Sequence, residues 1–172
     1  MIQRLVGSEM CIRDSAHSHL GKILHSLGKL KDAELSYRKA IELNPSFTDA
    51  YYNLGNLFFD LNKLKDAELS YRKAIQLNPN FTAAHYNLGR ISIDLGKLKD
   101  AELSYRKAIE LNPNFAICHA NLGDLLRDLG KLKDSEFHTR KAIEINPNYA
   151  IAHANLGAVS YTHLRAHETL NH

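Results

Sequence analysis

Side-chain amides recur at one spacing along this chain, and hydrogen bonding is the chemistry that they could do. One position, repeated at a constant interval, holds a histidine and then four asparagines: His19, Asn53, Asn87, Asn121 and Asn155. Each amide carries an N–H donor and a carbonyl acceptor, which suits the backbone of an extended peptide whatever its side chains are. The alternative is that each amide satisfies polar groups of the neighbouring repeat. The spacing alone does not decide between these two interpretations.

Histidines are the other candidates, because the chain contains ten of them. His85, His119 and His153 recur once per period, so packed helices would hold them about 8–10 Å apart. That is too far to share one zinc ion, whose histidine nitrogens lie about 2 Å from the metal. We expect these histidines to pack between helices. His163 and His167 are four residues apart, but they fall in a terminal segment that is discounted below.

Patterns that carry covalent chemistry are absent from the sequence. It contains no Ser-His-Asp or Cys-His arrangement, no HExxH motif and no Gly-rich phosphate loop. Cys118 is expected to be a small packing residue near the start of a helix. The sequence therefore predicts a protein that is not an enzyme, with no cofactor and no metal site.

A repeat must position the amides. Residues 96–115 recur nearly verbatim at 28–47, 62–81 and 130–149, and the four prolines of the chain keep the same interval, at Pro45, Pro79, Pro113 and Pro147. A fixed period of about 34 residues indicates one supersecondary unit stacked on copies of itself. The predicted repeats are 14–47, 48–81, 82–115 and 116–149, followed by a partial fifth repeat, helix A only, at 150–163.

Each repeat is predicted to form two antiparallel helices, A and B, joined by short turns. Helix A should end at a position occupied only by glycine or asparagine, Gly28, Asn62, Gly96 and Gly130, because a left-handed conformation is required there. Helix B should end at the Asn-Pro pair. A glycine also recurs in the middle of helix A, which predicts a close approach to helix B. Where Thr139 replaces the usual tyrosine, we expect looser packing.

These residues resemble the tetratricopeptide repeat (TPR) family over about Ala16–Tyr149 and on into the helix at 150–158. The shared pattern is Leu-Gly at positions 7–8, Ala at 20, an aromatic residue at 24, Ala at 27 and Pro at 32. The departures are histidine or tyrosine at position 4, where the family often has Trp, and Ser135 and Thr139 in the fourth repeat. The resemblance implies an all-α fold of about four and a half repeats, a right-handed superhelix (α-solenoid) of antiparallel helix pairs. It also implies a protein-interaction role, with helix A lining the concave face.

The Asn-Leu-Gly units are also similar to the repeat region of O-linked N-acetylglucosamine transferases, and to repeats of many bacterial TPR proteins. In those transferases an asparagine ladder holds extended peptide, so the resemblance implies a peptide-binding groove here. The groove residues predicted on this basis are Asn53, Asn87, Asn121, Asn155, Tyr52, Tyr86, Asn56, Arg90, Asp124 and Arg127.

The charge of the middle of this predicted groove favours a neutral or basic peptide. Five acids face only two arginines, Arg90 and Arg127. The acids are Asp49, Asp60, Asp94, Asp124 and Asp128.

Composition argues against nucleic acid and membrane as binding partners. The net charge of the 172 residues is +3, and the basic residues alternate with acids, which argues against nucleic-acid binding. No apolar run is long enough to span a bilayer, so no membrane association is predicted. Two cysteines, Cys11 and Cys118, cannot form a disulfide framework, which favours a reducing, cytoplasmic location.

Both ends of the chain break the repeat and look like translated sequencing-adapter DNA. Val-Ser-Tyr-Thr-His-Leu at 159–164 and Met-Cys-Ile-Arg-Asp at 10–14 can be encoded by one DNA element read on its two strands. We therefore expect authentic sequence from about Ala16 to Ala158. Residues 1–13 are predicted to be a non-native or disordered tail, and residues 164–172 a non-native tail. Genomic sequence across both junctions tests this expectation.

Three functions are compatible with the sequence. The first is a scaffold that binds an extended protein or peptide segment. The second is the substrate-recruiting part of a larger transferase. The third is a structural array that self-associates end to end, because the last helix A lacks its helix B and leaves an apolar face uncapped.

Overall fold

A computed structural model of the chain describes the backbone of residues 2–158 and the side chains of residues 13–158. The structure does not describe the end of the partial fifth repeat or the tail 164–172, and so it leaves out His163 and His167. Every element within the described residues is a helix, which confirms the all-α prediction. The helices are α1 (Ile2–Ser26), α2 (Leu30–Leu43), α3 (Thr48–Asp60), α4 (Leu64–Leu77), α5 (Thr82–Asp94), α6 (Leu98–Leu111), α7 (Ala116–Asp128), α8 (Leu132–Ile145) and α9 (residues 150–158).

The helices belong to two compact units. Unit 1 is Met1–Leu95 and contains α1 to α5, and unit 2 is Gly96–His172 and contains α6 to α9. In unit 1 each helix packs against the next along the chain, and α1 also contacts α3. In unit 2, α7 packs against both α6 and α8. Within each unit, the short connections make consecutive helices antiparallel.

Helix α1 includes residues 2–13, for which the sequence predicts a non-native or disordered tail. The backbone there is helical. The non-native origin of this segment stays a prediction. Among the described helices, none is both long and apolar enough to cross a lipid bilayer.

The ends of helix A follow from one backbone requirement. Gly28, Gly96 and Gly130 have φ between +72° and +73°, and Asn62 has φ +56°. This conformation lets the next residue return its N–H to the last turn, as when Lys63 N–H donates to Phe58 O at 2.8 Å. The prediction of left-handed residues at this position is confirmed.

Replacing Asn62 with Ala should lower the free energy of unfolding by about 1 kcal/mol, because an L-residue with a Cβ is strained at positive φ. Asn62→Gly is the matched control, since it restores the residue of the other repeats and should leave stability unchanged or raised. Urea unfolding followed by circular dichroism measures both variants. Equal destabilisation by Ala and Gly would show that the Asn62 side chain, and not its φ, matters.

The end of helix B is set by the Asn-Pro pair, as predicted. Helix α2 ends at Leu43, and Asn44 adopts an extended conformation with φ −140°. The Asn44 side chain Oδ1 then accepts the Ser46 N–H at 3.1 Å. Asn78, Asn112 and Asn146 make the same contact two residues on, so the turn is closed by a local hydrogen bond in each repeat.

Mid-helix glycine brings helices A and B together in unit 1. A Cβ built on Gly55 would lie 2.7 Å from Tyr71 Cε1, and one on Gly21 would lie 2.6 Å from Tyr37 Cε1. Both tyrosines are 1% exposed and belong to the core of the unit. The predicted close approach is therefore present, with the tyrosine ring filling the place of a Cβ.

In the fourth repeat, smaller side chains pack against the mid-helix glycine. A Cβ on Gly123 would meet Thr139 Oγ1 at 2.5 Å and the Ser135 carbonyl oxygen at 3.2 Å. Ser135 Oγ donates to Gly123 O at 2.6 Å, and Thr139 is fully buried. The prediction of looser packing here is wrong, because replacing Tyr by Thr lets the two helix backbones approach each other directly.

Candidate functional site

Unit 1 contains a groove built from the first helix of three successive repeats, α1, α3 and α5. Positions 6, 9, 12 and 13 of helix A are spaced so that their side chains share one helical face. Tyr37 from α2 and Tyr71 from α4 reach the groove from behind this face. The cavity measures about 640 Å³ and is lined by Lys22, His25, Ser26, Tyr37, Asn53, Asn56, Phe59, Asp60, Tyr71, Asn87 and Arg90.

Asn87 is the centre of a hydrogen-bond network in this groove. Its Nδ2 donates to Asn56 Oδ1 at 3.0 Å, to Tyr52 Oη at 3.3 Å and to Tyr71 Oη at 3.4 Å. Tyr71 Oη donates in turn to Asn56 Oδ1 at 2.6 Å. Burial raises the pKa of Tyr71, so its hydroxyl stays a proton donor at neutral pH.

This network fixes the orientation of two amides and leaves part of each unused. Asn56 Oδ1 accepts two hydrogen bonds, and Asn87 Nδ2 is fully engaged. Among the described residues, Asn56 Nδ2 and Asn87 Oδ1 have no hydrogen-bond partner. The groove therefore presents one oriented donor from α3 and one oriented acceptor from α5.

Asn53 is engaged differently. It is 8% exposed, and its Nδ2 donates to Ser18 Oγ of α1 at 3.4 Å. Asn53 and Asn87 thus both hydrogen-bond residues of the preceding repeat, as the second interpretation of the amide series expects. Asn87 does so while its carbonyl oxygen stays available to a ligand, so the two interpretations are compatible at this residue.

Charge in the groove is distributed unequally. Asp60 is the one carboxylate among the described residues that line it, and its Oδ2 pairs with His25 Nε2 at 2.8 Å. The Arg90 guanidinium lies over the Phe59 ring, 4.8 Å from its centroid, and 5.9 Å from the Tyr86 centroid. Within the described part of the chain, neither Arg90 nor Lys22 pairs with a carboxylate.

The two predicted tyrosines support the groove from its edge. The Tyr52 ring packs against the rings of Tyr71 and Phe81, at centroid distances of 5.8 and 4.8 Å. Tyr86 is half-buried beside Arg90. Neither of them lines the cavity directly, so their contribution is to position Asn87 and Arg90.

The other predicted groove residues belong to unit 2. Arg127 pairs with Asp124 at 2.6 Å and with Asp128 at 3.0 Å, so its charge is neutralised locally. Asn121 and Asn155 are half-buried. None of these residues is among those that line the groove of unit 1.

The sequence prediction missed the contribution of the first repeat. Lys22, His25 and Ser26 occupy positions 9, 12 and 13 of that repeat, which were read only in the later repeats. Extending the register back by one repeat would have found them. The sequence carries no signal that Tyr37 and Tyr71, which lie on helix B, also line the groove.

The recurrent histidines have a structural role. His85, His119 and His153 place Nε2 at 2.8, 3.1 and 2.8 Å from the carbonyl oxygen of Pro79, Pro113 and Pro147. Each ring thus donates to the turn that precedes its own helix. In the described residues, no three His, Cys, Asp or Glu side chains converge as a metal site would require.

Cys118 is fully buried, and its Sγ lies 3.5 Å from Tyr105 O. Burial raises the pKa of its thiol to about 12, which keeps it protonated and unreactive near neutral pH. It is a packing residue, as the sequence predicts.

The chain is similar to known proteins both in sequence and in structure. A model described as TPR repeat matches residues 21–62, and models described as tetratricopeptide repeat match residues 48–81, 82–115 and 104–137. A search of curated proteins found no match.

Solved structures with the same fold include three that cover most of the chain. YrrB, described as a TPR protein with an unusual peptide-binding site, is 28% identical with a TM-score of 0.76, over 86% of this chain and 76% of YrrB. MamA is 23% identical with a TM-score of 0.79, over 83% of each chain. PilF of Pseudomonas aeruginosa is 22% identical with a TM-score of 0.80, over 91% of this chain and 72% of PilF.

Proposed function

The chain belongs to the tetratricopeptide repeat family, and from this premise we propose that it is a non-catalytic scaffold that binds an extended peptide in the groove of unit 1. Membership of this family supports a general protein-interaction role for the chain. The peptide, the groove and the residues that contact the peptide are the proposal. The cytoplasmic location stays a prediction from the sequence.

The observation that carries this proposal is that Asn56 and Asn87 each use one polar group of the side-chain amide in the network and leave the other available to a ligand. A peptide in extended conformation presents a carbonyl acceptor and an N–H donor at each residue. Asn56 Nδ2 offers a donor and Asn87 Oδ1 an acceptor, and the network with Tyr71 holds both in place. Because these side chains are already ordered, binding in the groove would cost less conformational entropy than binding to mobile side chains.

The two amides are close enough to contact one short stretch of peptide. Asn87 Nδ2 lies 3.0 Å from Asn56 Oδ1, and an extended chain advances about 3.3 Å per residue. The same residue of a peptide, or two adjacent residues, would therefore meet Asn56 Nδ2 and Asn87 Oδ1. YrrB, which shares 28% identity, is described as having a peptide-binding site, and this gives the proposal independent support.

Peptide selection followed by mapping tests the proposal. A phage library of random dodecapeptides is panned on the full chain, and a selected peptide is titrated into the 15N-labelled protein. Side-chain amide signals of Asn56 and Asn87 should shift on binding, and Asn56→Ala should weaken binding by about tenfold through loss of a hydrogen bond in the groove.

Asn80→Ala is the matched control, because Asn80 is an exposed amide outside the groove. It should bind the peptide like the wild type. If the selected peptide shifts only signals outside α1, α3 and α5, or if Asn56→Ala binds normally, the groove is not the peptide site.

In unit 2, Asn121 and Asn155 occupy the same position of the repeat as Asn87. Their participation in peptide binding stays a prediction, as does that of Asp124 and Arg127. The pairing of Arg127 with Asp124 and Asp128 leaves these residues less charge to offer a ligand.

A further inference from the structure

Two cations in the unit 1 groove have no counterion among the described residues. Lys22 from α1 and Arg90 from α5 both line the cavity. Neither of them forms an ion pair in this part of the chain, whereas other arginines do, such as Arg38 with Glu34 at 2.8 Å. A cation held in a groove without a carboxylate is a site where an anionic ligand gains attraction without displacing a partner.

One carboxylate shares the groove with these two cations. Asp60 is the only acid among the described residues that line the groove, and its Oδ2 lies 2.8 Å from His25 Nε2 and not at Lys22 or Arg90. Two cations against one carboxylate leave the lining with a net positive charge. This differs from the prediction that the middle of the groove favours a neutral or basic peptide, because that prediction did not include Lys22 of the first repeat.

Arg90 is also pre-positioned. Its guanidinium lies over the Phe59 ring at 4.8 Å and near the Tyr86 ring at 5.9 Å. Stacking on aromatic rings orders a guanidinium and leaves its N–H groups in the plane free to donate. Two parallel N–H groups match the two oxygens of a carboxylate, which gives a bidentate contact.

A neutral hydrogen-bond donor lies in the groove beside the two cations. Asn56 Nδ2 faces the groove without a hydrogen-bond partner among the described residues, since the network uses Asn56 only through its Oδ1. Lys22, Arg90 and Asn56 thus supply donors from three different helices.

We propose that the unit 1 groove selects acidic peptides, and that a Glu or Asp side chain of the ligand binds Arg90 while Lys22 attracts the ligand from the α1 side of the same groove. This inference rests on the proposed peptide-binding function and adds the chemical class of the ligand. The free cations provide the selectivity, while the oriented amides hold the peptide backbone.

The test uses three fluorescein-labelled nonapeptides, acetylated and amidated at their ends, with a Gly-Ser-Ala background and Glu, Gln or Lys at the three central positions. Binding to the full chain is measured by fluorescence anisotropy at several salt concentrations. The Glu peptide should bind at least tenfold more tightly than the Gln peptide, and the Lys peptide more weakly still. The difference should shrink as salt rises, because exposed ion pairs are screened.

Variants assign the effect to the groove. Arg90→Gln should bring the Glu peptide close to the affinity of the Gln peptide and leave the Gln peptide unchanged. Lys65→Gln is the matched control, because it removes the same charge from an exposed residue of unit 1 outside the groove. It should retain at least half of the wild-type preference for Glu.

Other outcomes overturn the inference in distinguishable ways. Equal binding of the Glu and Gln peptides would refute the acidic preference but leave peptide binding intact. Equal loss in Arg90→Gln and Lys65→Gln would attribute the preference to net charge. A phosphoserine peptide, or a Gln peptide with a free C-terminus, that alone shows Arg90-dependent binding would replace the carboxylate side chain by those groups. No binding of any peptide would refute the proposed function as well.

Discussion

Replacing Gly55 with Ala is expected to lower the free energy of unfolding by about 2 kcal/mol through overpacking, although Ala is the better helix former. The new Cβ would lie 2.7 Å from Cε1 and 2.8 Å from Cδ1 of Tyr71. Overpacking of this kind costs about 1–3 kcal/mol in a well-packed core. The gain in helix propensity, about 0.5–1 kcal/mol, offsets only part of it.

Tyr71 cannot yield easily because both ends of its side chain are held. Its ring is 1% exposed and packs against Tyr52 at 5.8 Å. Its hydroxyl donates to Asn56 Oδ1 at 2.6 Å and accepts from Asn87 Nδ2 at 3.4 Å. Moving the ring would therefore disturb the groove as well as the core, so Gly55→Ala should also weaken the peptide binding proposed for unit 1.

Gly157 provides a matched control for this substitution. It occupies the same position of the repeat, but a Cβ there would meet no atom of the described residues within 4 Å. Gly157→Ala should raise stability by about 0.5–1 kcal/mol from helix propensity alone. Urea unfolding followed by circular dichroism measures both variants. If both changed stability in the same direction, contact with Tyr71 would not be the reason for the glycine.

The helices could be predicted from the sequence because their ends are local. Gly28 and Asn62 fix left-handed turns through their own φ, and Asn44 closes the next turn through its own side chain. Constraints of this kind act within a few residues, so repetition of the residue repeats the structure. The glycine in the middle of helix A was predictable for a related reason, since its cost requires a close neighbour.

The groove could be predicted only in part because its chemistry depends on pairing across repeats. The register placed Asn53, Asn56, Asn87 and Arg90 on the predicted groove face of helix A, and these four residues line the cavity of unit 1. It could not indicate that Asp60 pairs with His25 of the preceding repeat, since this depends on the approach of α1 and α3. The charge of the groove follows from the residues that line it, Lys22, Arg90 and Asp60, and not from a count over the whole predicted groove.

The fourth repeat shows a second limit. Thr139 in place of tyrosine suggested a gap, but the helices close on each other until Thr139 Oγ1 meets Gly123. The sequence specifies the volume of each side chain and not the freedom of the backbone to move. The same repeat places His138 where the others have serine, and this substitution has a larger consequence.

Acidification from pH 7 to pH 4 is expected to destabilise unit 2 by about 3 kcal/mol through the buried pair His119 and His138. The two Nδ1 atoms lie 3.0 Å apart, and the side chains are 4% and 8% exposed. His119 donates its Nε2–H to Pro113 O, so its Nδ1 is the acceptor and His138 Nδ1–H the donor. A proton on His119 Nδ1 would therefore oppose the N–H of His138.

The direction of the effect follows from the pKa values. Burial, with the adjacent His119, lowers the pKa of His138 to about 4, and burial also lowers the pKa of His119. Arg106 and Lys141 act in the same direction, whereas Glu102, Asp134 and Glu144 oppose it. The unfolded chain, with a histidine pKa near 6.5, binds protons first. Stability is therefore complete above about pH 6.5 and falls as the pH drops toward 4.

The size of the effect comes mainly from His138. One pKa unit corresponds to about 1.4 kcal/mol, so a displacement from 6.5 to about 4 corresponds to about 3–4 kcal/mol in full, of which about 3 kcal/mol is lost by pH 4. Urea unfolding at pH 7, 6, 5 and 4, followed through amide signals of unit 2, measures this loss. Carboxylates also titrate in this range, so a variant that removes only the pair is needed to separate their contribution.

His138→Ser is that variant, because serine occupies the same position of the repeat at Ser36, Ser70 and Ser104. It leaves His119 with its bond to Pro113, as in His85 with Pro79. The loss of stability between pH 6.5 and pH 4 should shrink by most of the about 3 kcal/mol in this variant. If His138→Ser lost as much stability as the wild type over this range, the acid sensitivity would come from the carboxylates and the histidine pair would be a neutral packing contact.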